Sequence, residues 1–153
     1  MAAIYQNETY EPKKSIGYLI HRVKAELMAA LDHELARDPA VAALEVTAAQ
    51  YVILTNLAVG EADSAARFCK MMSYDPGAMT RMLDRLEAKG LLRRKRCPDD
   101  RRLVNIELTD AGRAAIPQLR ACSVTVLNRF LRGFSADEAA TLERLLMRMA
   151  ANA

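Results

Sequence analysis

The chain has 153 residues, room for one domain and little more. Its 52% apolar and 27% charged residues exclude a chain disordered throughout, and no uninterrupted apolar run approaches the ~18 residues that span a bilayer. The net charge of +3 is unevenly placed, with 12 basic and 7 acidic groups in residues 67–113, a footprint suited to a polyanionic partner.

Residues 1–14 form an aperiodic arm. From Ser15, Ile16, Leu19, Ile20, Val23, Leu27, Leu31 and Leu35 recur at three- and four-residue steps, so they predict one long helix with a single apolar face, ended by Pro39. Thr47-Ala48-Ala49-Gln50 is a capping box that opens a short apolar helix closed near Gly60. A further helix follows Asp63 or Ser64. Asp75-Pro76 starts the next, because aspartate caps well and proline's missing N–H is no loss in a first turn. That helix turns Met79, Met82, Leu83 and Leu86 to one side and stops at Gly90.

The period then changes. Leu91–Arg96 reads as a strand and 97–100 as a turn. Leu103–Leu108 alternates, with Val104, Ile106 and Leu108 on one side. Thr109 caps a long helix with Ile116, Leu119, Val126, Leu127 and Phe130 as core positions and Pro117 inside. Ser135-Ala136-Asp137-Glu138 is a second capping box. It opens a last helix carrying Leu142, Leu145, Leu146 and Met149.

Site chemistry points away from catalysis. Three widely spaced cysteines and two histidines give no metal-ligand set, so no metal or other cofactor is expected. Neither histidine neighbours a patterned nucleophile, and no glycine-rich phosphate loop occurs; an enzyme is not expected. The cysteine usage and the lack of a visible secretory signal fit a cytoplasmic protein without a membrane partner.

Helix, turn, helix and a basic β-hairpin in this order suggest a winged helix-turn-helix, a mainly α fold with a small β wing. The helix from Pro76 can enter a DNA major groove by its N-terminal end. With its apolar residues inward, Gly77, Arg81, Asp84 and Arg85 face out, flanked by Ala78 and Thr80. Arginine reads guanine bidentately. Threonine contacts a phosphate or a thymine methyl, and the small residues let the backbone come close. The hairpin adds Arg94, Arg96, Arg101 and Arg102, with Arg93 and Lys95 beside them; such a wing straddles the phosphate backbone.

Three segments carry a family resemblance: Leu86-Glu87-Ala88-Lys89-Gly90-Leu91-Leu92-Arg93-Arg94, Asp99-Asp100-Arg101-Arg102, and Leu108-Thr109-Asp110-Ala111-Gly112. In sequence and spacing they resemble the MarR family of bacterial transcription regulators. The likeness extends through Thr80–Arg85 and to Thr47, Gln50, Leu54 and Leu57, and covers roughly residues 15–150. It implies one domain over 1–153. Segments 1–46 and 114–153 would form dimerisation helices around a winged lobe at 47–113. It further implies a homodimer on the double-stranded DNA of a pseudo-palindromic operator. Asp100 would brace the wing and Arg102 reach the minor groove. The regulator would most commonly be a repressor, released by a small aromatic acid or phenolic effector.

The same resemblance makes Tyr18, His21, Arg22 and Tyr51 the effector candidates. Arginine can hold a carboxylate bidentately and histidine a phenol, while the tyrosines line a ring. Two other readings stay open. Cys97, among the wing's cations, could sense oxidants. Alternatively, the chain could be a non-specific architectural DNA-binding protein, although that class is expected to carry more positive charge.

Overall fold

The computed structural model describes residues 3–96 and 104–152. Six helices and two strands follow in the order α1 Ile16–Arg37, α2 Ala48–Val59, α3 Ala65–Met72, α4 Pro76–Ala88, β1 Leu92–Arg96, β2 Val104–Leu108, α5 Asp110–Phe130 and α6 Ala136–Ala150. This is the mainly helical architecture with a two-stranded antiparallel ladder that the sequence predicts.

The helix starts follow from local chemistry. Ser15 Oγ accepts from the Tyr18 amide, Asp75 Oδ1 from Ala78 and Thr109 Oγ1 from Gly112. Thr47–Gln50 and Ser135–Glu138 both close full capping boxes. α2 has a second cap that no local pattern announces: Asp32 of α1 reaches across to accept from the Ala48 amide at 2.6 Å. The arm is tied down as well, because the Tyr5 hydroxyl accepts from the Ile16 amide at 2.9 Å and Tyr10 stacks edge-on against Tyr5. Pro117 lies well inside α5, and the helix continues through it.

The core sits in the winged lobe and at its junction with α1 and α5. Ile53 and Leu54 of α2, Phe68 of α3, Met79, Leu83 and Leu86 of α4, Leu91, Leu92 and Leu119 are fully buried. Leu92 pairs with Leu108 and Arg94 with Ile106 across the ladder. The Ile106 amide also donates to the Asp63 carbonyl at 2.7 Å, pinning β2 to the start of α3. Gly112 packs so closely on the turn at Leu91 that a side chain there would collide with the Leu91 carbonyl.

The apolar faces predicted from periodicity are only partly buried within the chain, and Leu127, expected in the core, is not in it. The α1 stripe divides: Leu31 and Leu35 are buried, whereas Ile16, Leu19, Ile20 and Val23 face solvent. On α5, Ile116, Leu119 and Val126 are buried but Leu127 is exposed; Val104 on β2 is exposed too. α6 buries nothing, and Leu142, Leu145, Leu146 and Met149 are all exposed. Periodicity identifies an apolar face but not the element that covers it. Among the described residues, no helix is long and apolar enough to cross a membrane.

Candidate nucleic-acid interface

α3 and α4 are joined by a tight turn through Ser73, which adopts a left-handed φ of +54°. This sets α4 against α3 with Met79, Leu83 and Leu86 inward. The opposite face carries Gly77, Thr80, Arg81, Asp84 and Arg85, all exposed, with Ala78 half-buried beside them. Among the described residues, neither Arg81 nor Arg85 forms an ion pair. Gly77 leaves room at the first turn. A Cβ there would stand 3.1 Å from the capping oxygen of Asp75 and 3.4 Å from Arg81 Nη1. Thr80 Oγ1 donates to the Pro76 carbonyl at 2.8 Å.

Arg94 departs from its predicted outward role. Its guanidinium turns back onto α4, reaching Asp84 Oδ1 at 2.7 Å and Glu87 Oε2 at 2.5 Å. Glu87 also accepts from the Arg94 amide at 3.0 Å. Partial burial alone would lower the Arg94 pKa, but hydrogen bonds and charge from Asp84 and Glu87 hold it above its ordinary value. The residue fastens β1 to α4. Arg93 and Lys95 both face Glu107 on β2, at 3.1 and 3.8 Å, and Arg96 is exposed at the strand end. Asp100, Arg101, Arg102 and Cys97 lie outside the described residues.

Sequence reasoning missed three groups here. Arg67 and Lys70 stand exposed on α3, next to α4 in the fold, with Arg67 bonded to Asp63 at 3.3 Å. The basic enrichment of 67–113 was the available signal. Lys89 closes α4 and donates to the main-chain carbonyls of Leu44 and Glu45. No local pattern could have shown that contact.

Among the described residues, the predicted effector set lines neither of the two cavities that follow. Tyr18 and His21 are exposed on α1, Arg22 is bonded to Glu26 at 3.0 Å, and Tyr51 is half-buried on α2. The hydrogen bond and charge of Glu26 raise the Arg22 pKa. A cleft of about 470 Å³ opens elsewhere, between the end of α2, β2 and α5. Leu57, Ile116 and Pro117 give it apolar walls, and Arg113 and Arg120 line it. Arg113 is engaged with the Leu108 carbonyl and Asp110, both at 2.8 Å. A second, almost wholly apolar groove of about 490 Å³ runs between Leu19, Ile20 and Val23 of α1 and Leu142 and Leu146 of α6.

Of the cysteines, Cys69 is half-buried and Cys122 buried. Burial first, and then the nearby Asp38 carboxylate, push the Cys122 thiol up to about 11. Among the described residues, no group of three or more His, Cys, Asp or Glu side chains could hold a metal ion.

The comparisons with known proteins agree with this geometry. The family model described as the MarR family matches residues 46–104. The multiple antibiotic resistance protein MarR of Escherichia coli is 36% identical over 135 residues, 88% of this chain and 90% of that protein. A mutant of E. coli MarR crystallised with operator DNA superposes with a TM-score of 0.73 and 33% identity, over 92% of this chain and 99% of that one. Bordetella bronchiseptica BpsR, whose DNA binding is regulated by 6-hydroxynicotinic acid, superposes with a TM-score of 0.75 and 26% identity, over 92% and 96%. With the winged lobe, the capped helices and these relatives in agreement, the chain belongs to the MarR family of DNA-binding transcription regulators.

Proposed function

We propose that the protein is a homodimeric repressor that binds a pseudo-palindromic operator and is released by a small aromatic acid or phenolic compound. One observation carries the DNA reading: Gly77, Thr80, Arg81 and Arg85 share the exposed face of a helix whose other face is locked into the core. A helix held this way presents its side chains to a groove without reorganising. Arg81 and Arg85 supply the charge, and Gly77 and Ala78 permit close approach. Arg96, Arg101 and Arg102 are the proposed wing contacts, with Asp100 as their brace. Arg94 acts by holding the wing root on α4 rather than by touching DNA.

The homodimer is supported by the bare apolar faces. Ile16, Leu19, Ile20 and Val23 on α1 and Leu142, Leu145 and Leu146 on α6 are too many and too close together to stay in water on a stable monomer. A second copy, presenting the same faces, would bury them across a two-fold axis.

The effector class rests on BpsR, whose regulator is a hydroxylated aromatic acid. The cleft between α2, β2 and α5 has the volume for such a molecule, an apolar wall for its ring and Arg120 for its carboxylate. It is a better seat than the Tyr18, His21, Arg22 and Tyr51 set, which lines none of the cavities described above.

The test is fluorescence anisotropy on the gene's upstream DNA against a scrambled duplex at ~150 mM salt, where non-specific phosphate binding is weakened. A preference of ~10³ or more is expected. A panel of hydroxybenzoates and hydroxynicotinates should release the complex, and Arg120→Ala should blunt that release. No preference over scrambled DNA would overturn the reading.

A further inference from the structure

We infer that Thr80 reads the 5-methyl group of a thymine through its own methyl, and that the hydroxyl takes no part in the recognition. This deepens the DNA reading above and rests on it. The argument starts from the hydroxyl. Thr80 Oγ1 donates its only proton to the Pro76 carbonyl one turn back, at 2.8 Å. That bond fixes the side chain in the rotamer that turns oxygen down onto the helix, so Cγ2 is left to project. Thr80 itself is exposed.

The neighbours sharpen the point. In the first two turns of α4, the outward surface consists of the Pro76 ring, Gly77 with no side chain, the half-buried Ala78 methyl, the Thr80 methyl and the Arg81 guanidinium. Apart from one cation, the side chains of these two turns offer a groove only small apolar groups, and of these Ala78 and Thr80 present methyls. In the major groove the thymine methyl is the one apolar feature that a base edge displays, and guanine offers the acceptor pair that suits arginine. The surface therefore fits a half-site in which a thymine lies next to, or one step from, the guanine that Arg81 takes. A phosphate would instead need a donor, and the Thr80 proton is already bonded within the helix.

The experiment begins with selection of binding sites from a random duplex pool by the full-length wild-type protein. Each thymine of the resulting consensus is then replaced in turn by deoxyuridine, which removes one methyl and leaves every hydrogen-bonding group in place. One thymine per half-site should lose about three- to fivefold in affinity, the worth of one buried methyl. Thr80→Val keeps the methyl and should keep that sensitivity. Thr80→Ser keeps the hydroxyl and should bind the thymine and deoxyuridine duplexes equally.

If affinity is unchanged by deoxyuridine at every position, the inference is overturned. Persisting sensitivity in Thr80→Ser would overturn the assignment to Thr80 and move the contact to Ala78. Uniform weakening by Thr80→Val, with no change in thymine preference, would mean that the hydroxyl contacts the backbone. A pool that yields no consensus would overturn the DNA reading itself, which separates that failure from the others.

Discussion

Lys89 and Glu45 are 44 positions apart, yet the Lys89 ammonium donates to the Glu45 carbonyl oxygen at 2.5 Å. A second bond, to the Leu44 carbonyl at 2.8 Å, completes the clamp. Glu45 ends a 3-10 turn in the left-handed region, at φ +47°, where its carbonyl has no helical donor. The end of α4 is thereby fastened to the connection between α1 and α2. Lys89→Met keeps the aliphatic stem and removes the charge. It should cost about 1–2 kcal/mol of stability, since bonds to a charged group exceed neutral ones. The urea midpoint, read at unchanged slope, checks this; an unmoved midpoint would show that water replaces the clamp at no cost.

Gly112→Ala should be among the most damaging single substitutions in the chain. A Cβ at this position would fall on the Leu91 carbonyl oxygen and lie 3.2 Å from Leu108 Cδ2. Both neighbours are buried, and one is backbone, so neither can give way cheaply. A loss of about 3 kcal/mol or more is expected, or failure to accumulate in soluble form. Thermal melting of the purified variant is the measurement, and a melting temperature within a degree or two of wild type would contradict the packing described.

Arg81 and Arg94 should separate under mutation. Arg81→Ala removes an exposed α4 cation proposed to face the groove and should relax preference at one base pair per half-site, at a cost of about 1–3 kcal/mol. Arg94→Ala leaves Asp84 and Glu87 facing each other without their shared cation and loosens the wing root. Its DNA affinity should fall at every sequence, the salt slope should stay near wild type, and urea stability should drop. Binding titrations at several salt concentrations on matched and mismatched duplexes distinguish the two.

Truncation after Gly133 removes α6 with all its exposed apolar residues and spares the buried core. Light scattering after size exclusion should then report a monomer or soluble aggregate in place of a dimer. A stable truncated dimer would refute the assignment of α6 to the interface.

Cys122 should behave as an inert core thiol. Burial first, and then the Asp38 carboxylate, raise its pKa from the ordinary 9.0 to about 11. The folded state therefore holds the thiol proton more tightly than the unfolded state does. The resulting stability is fully present below pH 9 and is lost as pH rises through about 11. Alkylation at neutral pH should label Cys69 and spare Cys122 until the chain unfolds. In Cys122→Ala the alkaline loss of stability should become shallower; an unchanged alkaline limb would remove Cys122 as its source.

Most helix boundaries were legible because caps are local chemistry. Ser15, Thr47, Asp75, Thr109 and Ser135 each do in the structure what their position in the sequence implies. The outward face of α4 was legible for the same reason: three apolar residues at helical spacing fix the opposite side. Contacts that close across the chain were not. Asp32 capping α2, Lys89 gripping the 44–45 turn and Arg94 folding back onto Asp84 and Glu87 join residues that no period connects. The α1 stripe is one face, but half of it serves the core and half stands bare, a division that spacing alone does not mark.

The bareness of α6 makes the proposed dimer sensitive to abundance. A subunit alone leaves Leu142, Leu145, Leu146 and Met149 in water. Covering them with a second copy would be favoured by mass action and reversed by dilution. Occupancy of the proposed two-fold operator would then fall more steeply than in proportion to the protein's concentration.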